Sequence, residues 1–399
     1  MCAKGVKNES YNEEARELDL ENFRSRLVDI TQSIEDPRVR DNQTYSLFSL
    51  VAIIFCAIVG GANSISAIHR YATSKKKWLM MWLDLKEGVP TYDTLWWLLV
   101  RLDPSQTEEF FRQWTSTLSK KEVEDMIAID GKRLKGASNK NQSESLLHMV
   151  SAWSSCRGLI LGQLKTETKS NEITAIPELL DSIDIKGAVI SIDAMGCQKA
   201  ISKKIIENGA DYLLMVKDNQ PTLHDEIQNF FEQAESVKFE GVSHNSFIRE
   251  DKGHGRNERR ELYVSDDIDW LPMKDDWTGL KCIVMLKSFR ILNGVTSEEN
   301  RYYITSLPPV GERIVRVARS HWGIENKVHW ILDVVFQEDL SQISTGHAAE
   351  NFSIFRRMSL NVIRLDLDKK KSLIGKRQCA GWDDEYMAFL LGLAAIKKF

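Results

Sequence analysis

At 399 residues the chain is too long for one small core, and a prior of roughly 100–200 residues per domain points to two or three. Its 43% apolar and 28% charged residues exclude disorder, collagen and coiled coil. A formal net charge of −4 removes whole-chain attraction to polyanions, so a nucleic-acid partner has to be met by local basic patches. The longest apolar run, 47–62, is broken by Ser49 and Gly60-Gly61 and falls short of the roughly 20 residues a membrane helix needs, so it reads as a buried helix with no membrane partner. The first 21 residues are polar and acidic, and the six cysteines are scattered with no CxxC pair. Reduced thiols in the cytoplasm are therefore expected, without a disulfide framework or a structural zinc.

Taken in chain order, the stretch to about residue 110 predicts helices. Asp41-Asn42 is expected to open the 45–59 run, Asn63-Ser64 the 65–71 run and Thr91 the 95–102 run. Trp78, Trp82, Trp96, Trp97, Phe110 and Phe111 supply core surface. From about residue 124 the pattern turns to strands: 126–130, ending in Asp130, then 147–153 and 159–164 as a meander across the turn-like 154–158. Asn171 is expected to cap a helix over 172–183; Gly187 precedes a fourth strand, 188–193, ending in Asp193. A helix over 198–208 ends at Gly209, and 211–216 is the fifth strand, followed by a helix. Three strands, helix, strand, helix, strand predicts an α/β (α+β) mixed sheet of ribonuclease H-like order behind an all-helical N-terminal domain. Strand-like pieces at 261–264, 281–289 and 302–305 make a β-rich insertion over about 230–308, and helical patterning returns at 311–335 and 351–363.

Asp130 and Asp193 each close an apolar run and precede a small residue, Gly131 and Ala194, the place where open α/β sheets put functional side chains. Two strand-end carboxylates on neighbouring strands repel each other unless they hold a cation, and hard oxygen donors suit Mg²⁺ or Mn²⁺. His321, Glu325, His329 and Asp333 recur every four residues and predict one polar stripe on a helix. An alternative has His321, Glu325 and His329 holding zinc; a drift of about 40° per four residues lets them only just meet one ion, and HExxH is absent.

Residues 127–136, 148–153, 169–177, 191–198, 209–220, 254–256 and 319–333, in that order, resemble the ISAs1 family of bacterial insertion-sequence transposases, also called H-repeat-associated proteins, DDE enzymes related to the IS4 group. The 36–114 stretch resembles the helical domain that accompanies their catalytic domain. The resemblance implies a helical transposase-associated domain over 1–118 and a ribonuclease H-like catalytic domain over 119–399. It implies DNA cleavage and strand transfer by Asp130, Asp193 and Glu325, with two Mg²⁺ or Mn²⁺ ions, Asp130 between them and the other two completing one each. The IS4 group's Tyr, Arg and Lys positions fall on Ala318, His321 and Leu332, so only the glutamate of that signature is present. The partners implied are terminal inverted repeats and target DNA, met in the cytoplasm by a homo-oligomer on paired ends. Basic or polar residues near the strand ends are the expected phosphate contacts: Lys132, Arg133, Lys217, Asn219, Arg256 and Arg319, with His321 and His329 orienting phosphate or shuttling a proton. The cluster Lys369–Lys371, Lys376 and Arg377 reads as a solvated tail. A catalytically inactive DNA-binding descendant and a zinc hydrolase built on the His321 helix are the competing readings.

Overall fold

The computed structural model describes residues 31, 34–38, 43–118, 124–137, 147–166, 172–253, 256–292 and 295–392. Asp41, Asn42 and Asn171, expected to cap helices, and His254 lie outside them. Among the described residues of 43–118 the regular elements are helices: α1 (Leu47–Val59), α2 (Ile65–Ser74), α3 (Lys76–Leu79), α4 (Tyr92–Arg101) and α5 (Pro104–Leu118). Their starts follow side-chain chemistry: Ser46, Ser64 and Thr91 each accept the free N–H three residues on, at 3.1–3.2 Å. Helix α1 is apolar all round and is buried from Ser49 onward, as such a helix must be. No helix among the described residues is long and apolar enough to cross a membrane. Phe110 and Phe111 are buried as expected, whereas Trp97 is half exposed, with the Arg101 guanidinium over its ring.

The sheet has nine strands in the order β3-β2-β1-β4-β5-β9-β8-β7-β6. β1 (Met126–Arg133), β2 (His148–Ser154) and β3 (Leu159–Thr166) form the antiparallel meander. β4 (Val189–Ile192) and β5 (Asp211–Val216) join β1 in parallel, through α6 (Glu172–Ser182) and α7 (Lys199–Glu207). Within these five, β2 alone runs against the rest, which is the strand order the sequence predicts. After α8 (Pro221–Ser236), four strands extend the same sheet: β6 (Asn245–Gly253), β7 (Arg256–Ser265), β8 (Cys282–Leu292) and β9 (Val295–Thr305), with β9 antiparallel to β5. The expected β-rich insertion is thus continuous with the sheet through main-chain hydrogen bonds.

Helix α9 (Gly311–Ile324) crosses β1 and β4 and continues through a five-residue π-helical turn, Glu325–His329, into α10 (Trp330–Val334). Then follow α11 (Ala348–Leu365), α12 (Leu373–Trp382) and α13 (Asp384–Leu390). Helix α11 packs on α1, α5 and β3, and the buried apolar residues of 50–118 form one core with those of the sheet and of α11. Asn361 locks this junction: its side chain accepts from Ile160 N at 2.9 Å and donates to Ile160 O at 2.8 Å, pairing an outer strand as another strand would. The expectation of a solvated tail is overturned for Lys376 and Arg377, both buried. Arg377 donates to Ile58 O and Ala62 O at the C-terminal end of α1, supplying donors to carbonyls a helix end leaves open.

Candidate active site

The parallel ladder between β1 and β4 runs to Ile129 and Ile192, and the next residue on each strand is an aspartate, Asp130 and Asp193. The two carboxylates therefore leave the sheet side by side, although β1 itself continues to Arg133 as partner of β2. Asp193 is fixed by a turn: it caps the 3₁₀ segment Ala194–Gly196, its Oδ1 accepting from Met195 N at 3.1 Å and Gly196 N at 3.3 Å. Asn219 donates to Ala194 O and Gln220 to Cys197 O, bracing that turn from the far end of β5. Asp130 Oδ1 accepts from Gly131 N at 2.9 Å. Burial, and then the Asp193 charge, push the Asp130 carboxyl up to about 7, with further contributions from Glu325 and Glu172. No lysine or arginine among the described residues ion-pairs with Asp130, Asp193 or Glu325.

The predicted stripe faces these strand ends. His321 Nδ1 stands 3.3 Å from Ser191 Oγ, His329 Nδ1 3.6 Å from Asp130 Oδ2, and Asp333 Oδ1 2.7 Å from Lys132 Nζ. The π turn makes this possible. Four α-helical residues overshoot a full rotation by about 40°, so His329 would drift off the His321 line; a wider turn rotates less per residue and takes the drift back. Glu325, first residue of that turn, is exposed, yet its charge is within reach of Asp130. Burial lowers the pKa of both imidazoles, that of His329 to about 3, so His329 is neutral.

Glycines let the layers approach. A Cβ at Gly323 would come within 2.4 Å of the Trp153 ring, and one at Gly131 within 2.3 Å of Glu172 Oε1, the partner of His148 in a buried pair. His148 and Glu172 both fall in stretches that resemble the family, but neither is singled out there as a site residue.

Beside Glu325 opens a groove of about 980 Å³ between α9 and the strands β7–β9. Arg260, Arg290, Arg301, Arg316, Arg319 and Lys327 line it, interleaved with Glu258, Glu298 and Glu299. Arg301 lies over the Trp322 ring at 4.4 Å and Lys327 over Trp153 at 5.4 Å.

Of the expected phosphate contacts, Arg319 lies in this groove, and Arg133 and Lys217 are exposed at strand ends. Asn219 braces the Asp193 turn. Arg256 opens β7, and its side chain lies outside the described part of the molecule. Lys132 is buried among Asp333, Glu338 and Asp339, where no phosphate reaches it. The expected zinc set does not assemble, because His321 and His329 meet different strands. Among the described residues no three His, Cys, Asp or Glu side chains stand ready-closed around one ion. The donor chemistry of Asp130, Asp193 and Glu325 nonetheless fits a hard divalent cation: all three are carboxylates, and no lysine or arginine among the described residues ion-pairs with them.

Comparison with known proteins decides the family. The family described as "Transposase DDE domain" matches residues 121–362, and that described as "DDE_Tnp_1-associated" matches residues 28–115. The chain belongs to the DDE transposase family. It is 36% identical over 371 residues to "H repeat-associated putative transposase YhhI" of Escherichia coli K12, covering 92% of this chain and 97% of that one. It is 37% identical to "Putative transposase YncI" of Escherichia coli O157:H7, covering 88% and 90%. The solved "Cryo-EM structure of piggyBac transposase synaptic complex with hairpin DNA" aligns with a TM-score of 0.44 and 10% identity over 93% of this chain and 80% of that one, a likeness too loose to build on. The resemblance to H-repeat-associated transposases is thus met along nearly the whole chain. In this DDE family chain Asp130 lies on β1, Asp193 follows the adjacent parallel strand β4, and Glu325 follows the helix that crosses them.

Proposed function

We propose that this DDE transposase serves a bacterial insertion sequence, binding the element's terminal inverted repeats and target DNA in the cytoplasm and catalysing Mg²⁺- or Mn²⁺-dependent cleavage and strand transfer. The observation that carries the reading is the pair of strand-end carboxylates Asp130 and Asp193, with the Glu325 charge bearing on Asp130 and no lysine or arginine among the described residues paired with them, beside a groove lined with arginine. Asp130, Asp193 and Glu325 would hold the ions. Divalent ions, when bound, stabilise the attacking and leaving oxygens of an in-line displacement at phosphorus.

The chain's own residues do the rest. The Asp193 turn, braced by Asn219 and Gln220, keeps one carboxylate in place while β1 fixes the other. Neutral His329 beside Asp130, and His321 beside Ser191, would orient the scissile phosphate or shuttle a proton. Arg319 and the groove arginines, together with Arg133, Lys217 and Arg256, would hold the DNA backbone. Residues 1–118 act as the associated helical part and 119–399 as the catalytic part, two copies working on paired ends.

The test is cleavage and strand transfer on the element's end DNA, wild type against Asp193→Asn, in Mg²⁺, Mn²⁺, Ca²⁺ and EDTA. Activity in Mg²⁺ or Mn²⁺ that falls at least about a thousandfold in Asp193→Asn, with DNA binding retained, is the expected result. Binding without cleavage in every metal would make the chain a catalytically inactive DNA-binding descendant.

A further inference from the structure

We infer that Lys132 is a positioning residue of the active site, holding the Glu325-bearing helix in register with Asp130; the inference rests on the DDE reading of Asp130, Asp193 and Glu325. Lys132 follows Asp130 by two residues on β1, so both side chains project from the same face of the strand, about 6.6 Å apart along it. Asp333 follows His329 by four residues, about 6 Å along a helix. The two contacts, His329 to Asp130 at 3.6 Å and Lys132 to Asp333 at 2.7 Å, are therefore two rungs between one strand and one helix, with matching spacing.

The second rung is the anchored one. Lys132 is 7% exposed, and its ammonium also stands 2.9 Å from Asp339 Oδ1. It lies 4.0 Å from Glu338 Oε2, and Glu338 is in turn held by the fully buried Arg357 at 2.8 Å. With Lys135 3.3 Å from Asp339, each of the three carboxylates has a cationic partner, and the charge of buried Arg356 also bears on Glu338. Between this anchor and Glu325 lies the π turn, whose hydrogen bonding is the least regular of the helix. Without Lys132, Asp333 and Asp339 lose their main counter-charge, the helix end is released, and the π turn is free to shift Glu325 and His329 relative to Asp130.

The experiment measures Mn²⁺ binding by the electron paramagnetic resonance of free Mn²⁺, alongside metal-dependent cleavage of a duplex carrying the element's terminal repeat. It compares wild type, Lys132→Met, Lys132→Arg, Asp333→Asn and the exchange pair Lys132→Asp with Asp333→Lys. Asp193→Asn serves as the control for the site itself. The expected result is a half-saturating Mn²⁺ concentration raised about 10- to 100-fold in Lys132→Met and Asp333→Asn, with unchanged DNA affinity and recovery in Lys132→Arg. Wild-type Mn²⁺ affinity and metal dependence in Lys132→Met, with only a lower Tm, would overturn the inference and leave Lys132 a purely structural residue. If Lys132→Met does not fold, the half-exposed partner variant Asp333→Asn decides the same question by the same two readouts. Failure of wild type to bind Mn²⁺, or binding unaltered by Asp193→Asn, would overturn the DDE reading itself, a result distinct from either outcome at Lys132.

Discussion

Asp130 and Lys132 lie two residues apart on one face of β1, yet their electrostatic settings are opposite. Around Lys132 the charges are matched: Asp333, Glu338 and Asp339 face Lys132, Lys135 and Arg357. Around Asp130, burial and the charges of Asp193, Glu325 and Glu172, the last itself paired with His148, push the carboxyl toward the protonated form, and among the described residues no lysine or arginine pairs with it. A fold has no reason to bury like charges together, since each costs free energy that a paired or apolar residue would not. The difference separates architecture from chemistry: paired charge holds elements in place, and like charge left without a cationic partner is what a cation would neutralise.

The strongest way to break this contrast is to unbalance the matched cluster. Arg357→Met strands Glu338, which is fully buried, and removing one partner of such a pair costs roughly 3–5 kcal/mol. Denaturant unfolding of Arg357→Met should show that loss, and the double variant Arg357→Met with Glu338→Leu should recover much of it. A loss under about 1 kcal/mol would mean that water already screens the pair and that the cluster is not an anchor.

At Asp130 the sign is reversed. Its folded pKa of about 7 lies above the unfolded value near 3.9, so between those values the folded state keeps a proton that the unfolded chain has released. Stability therefore falls as pH rises from about 4 to about 7, and the cost is complete above 7. In EDTA, Asp130→Asn should be more stable than wild type at pH 8 by at most about 4 kcal/mol, with the gap closing as pH falls toward 4. Adding Mn²⁺ should narrow the gap at pH 8 by stabilising wild type alone. A destabilised Asp130→Asn at pH 8 would show that the acidic site is already neutralised by the protein.

Both aspartates were legible in the sequence because an apolar strand that ends in a carboxylate before a small residue is a local pattern. The stripe His321, Glu325, His329 and Asp333 was legible as a helical period, but the π turn that realigns it was not, since a one-residue widening leaves no compositional mark. The partners of Lys132 lie some 200 residues away in sequence, so a lysine two residues after Asp130 reads as a phosphate contact until the fold places three carboxylates against it. Strand β6 was missed for a related reason: Asn245–Gly253 is polar, without clear alternation, and only its pairing with β7 makes it a strand. Lys376 and Arg377 read as a tail because two of the carbonyls that hold Arg377 belong to α1 and its following turn, over 300 residues earlier.

The smallest expected effect on stability tests how tightly the helix is seated on the sheet. Gly323 lies inside α9, where alanine is intrinsically favoured by about 1 kcal/mol. A Cβ there would meet the Trp153 ring at 2.4 Å, and Trp153 is buried on β2 with little room to yield. Overpacking of this kind costs about 1–3 kcal/mol, so the two effects nearly cancel and Gly323→Ala should lower stability by only about 1 kcal/mol. If Glu325 has the role proposed above, activity should respond far more, because relief of the clash lifts the helix two residues before it, and a displacement near 1 Å at a catalytic group costs on the order of a hundredfold in rate. Adding Trp153→Leu should restore room, and with it part of the rate. A more stable Gly323→Ala with its cleavage rate intact would show that the helix floats over β1, and the two-rung register between them would then have no mechanical basis.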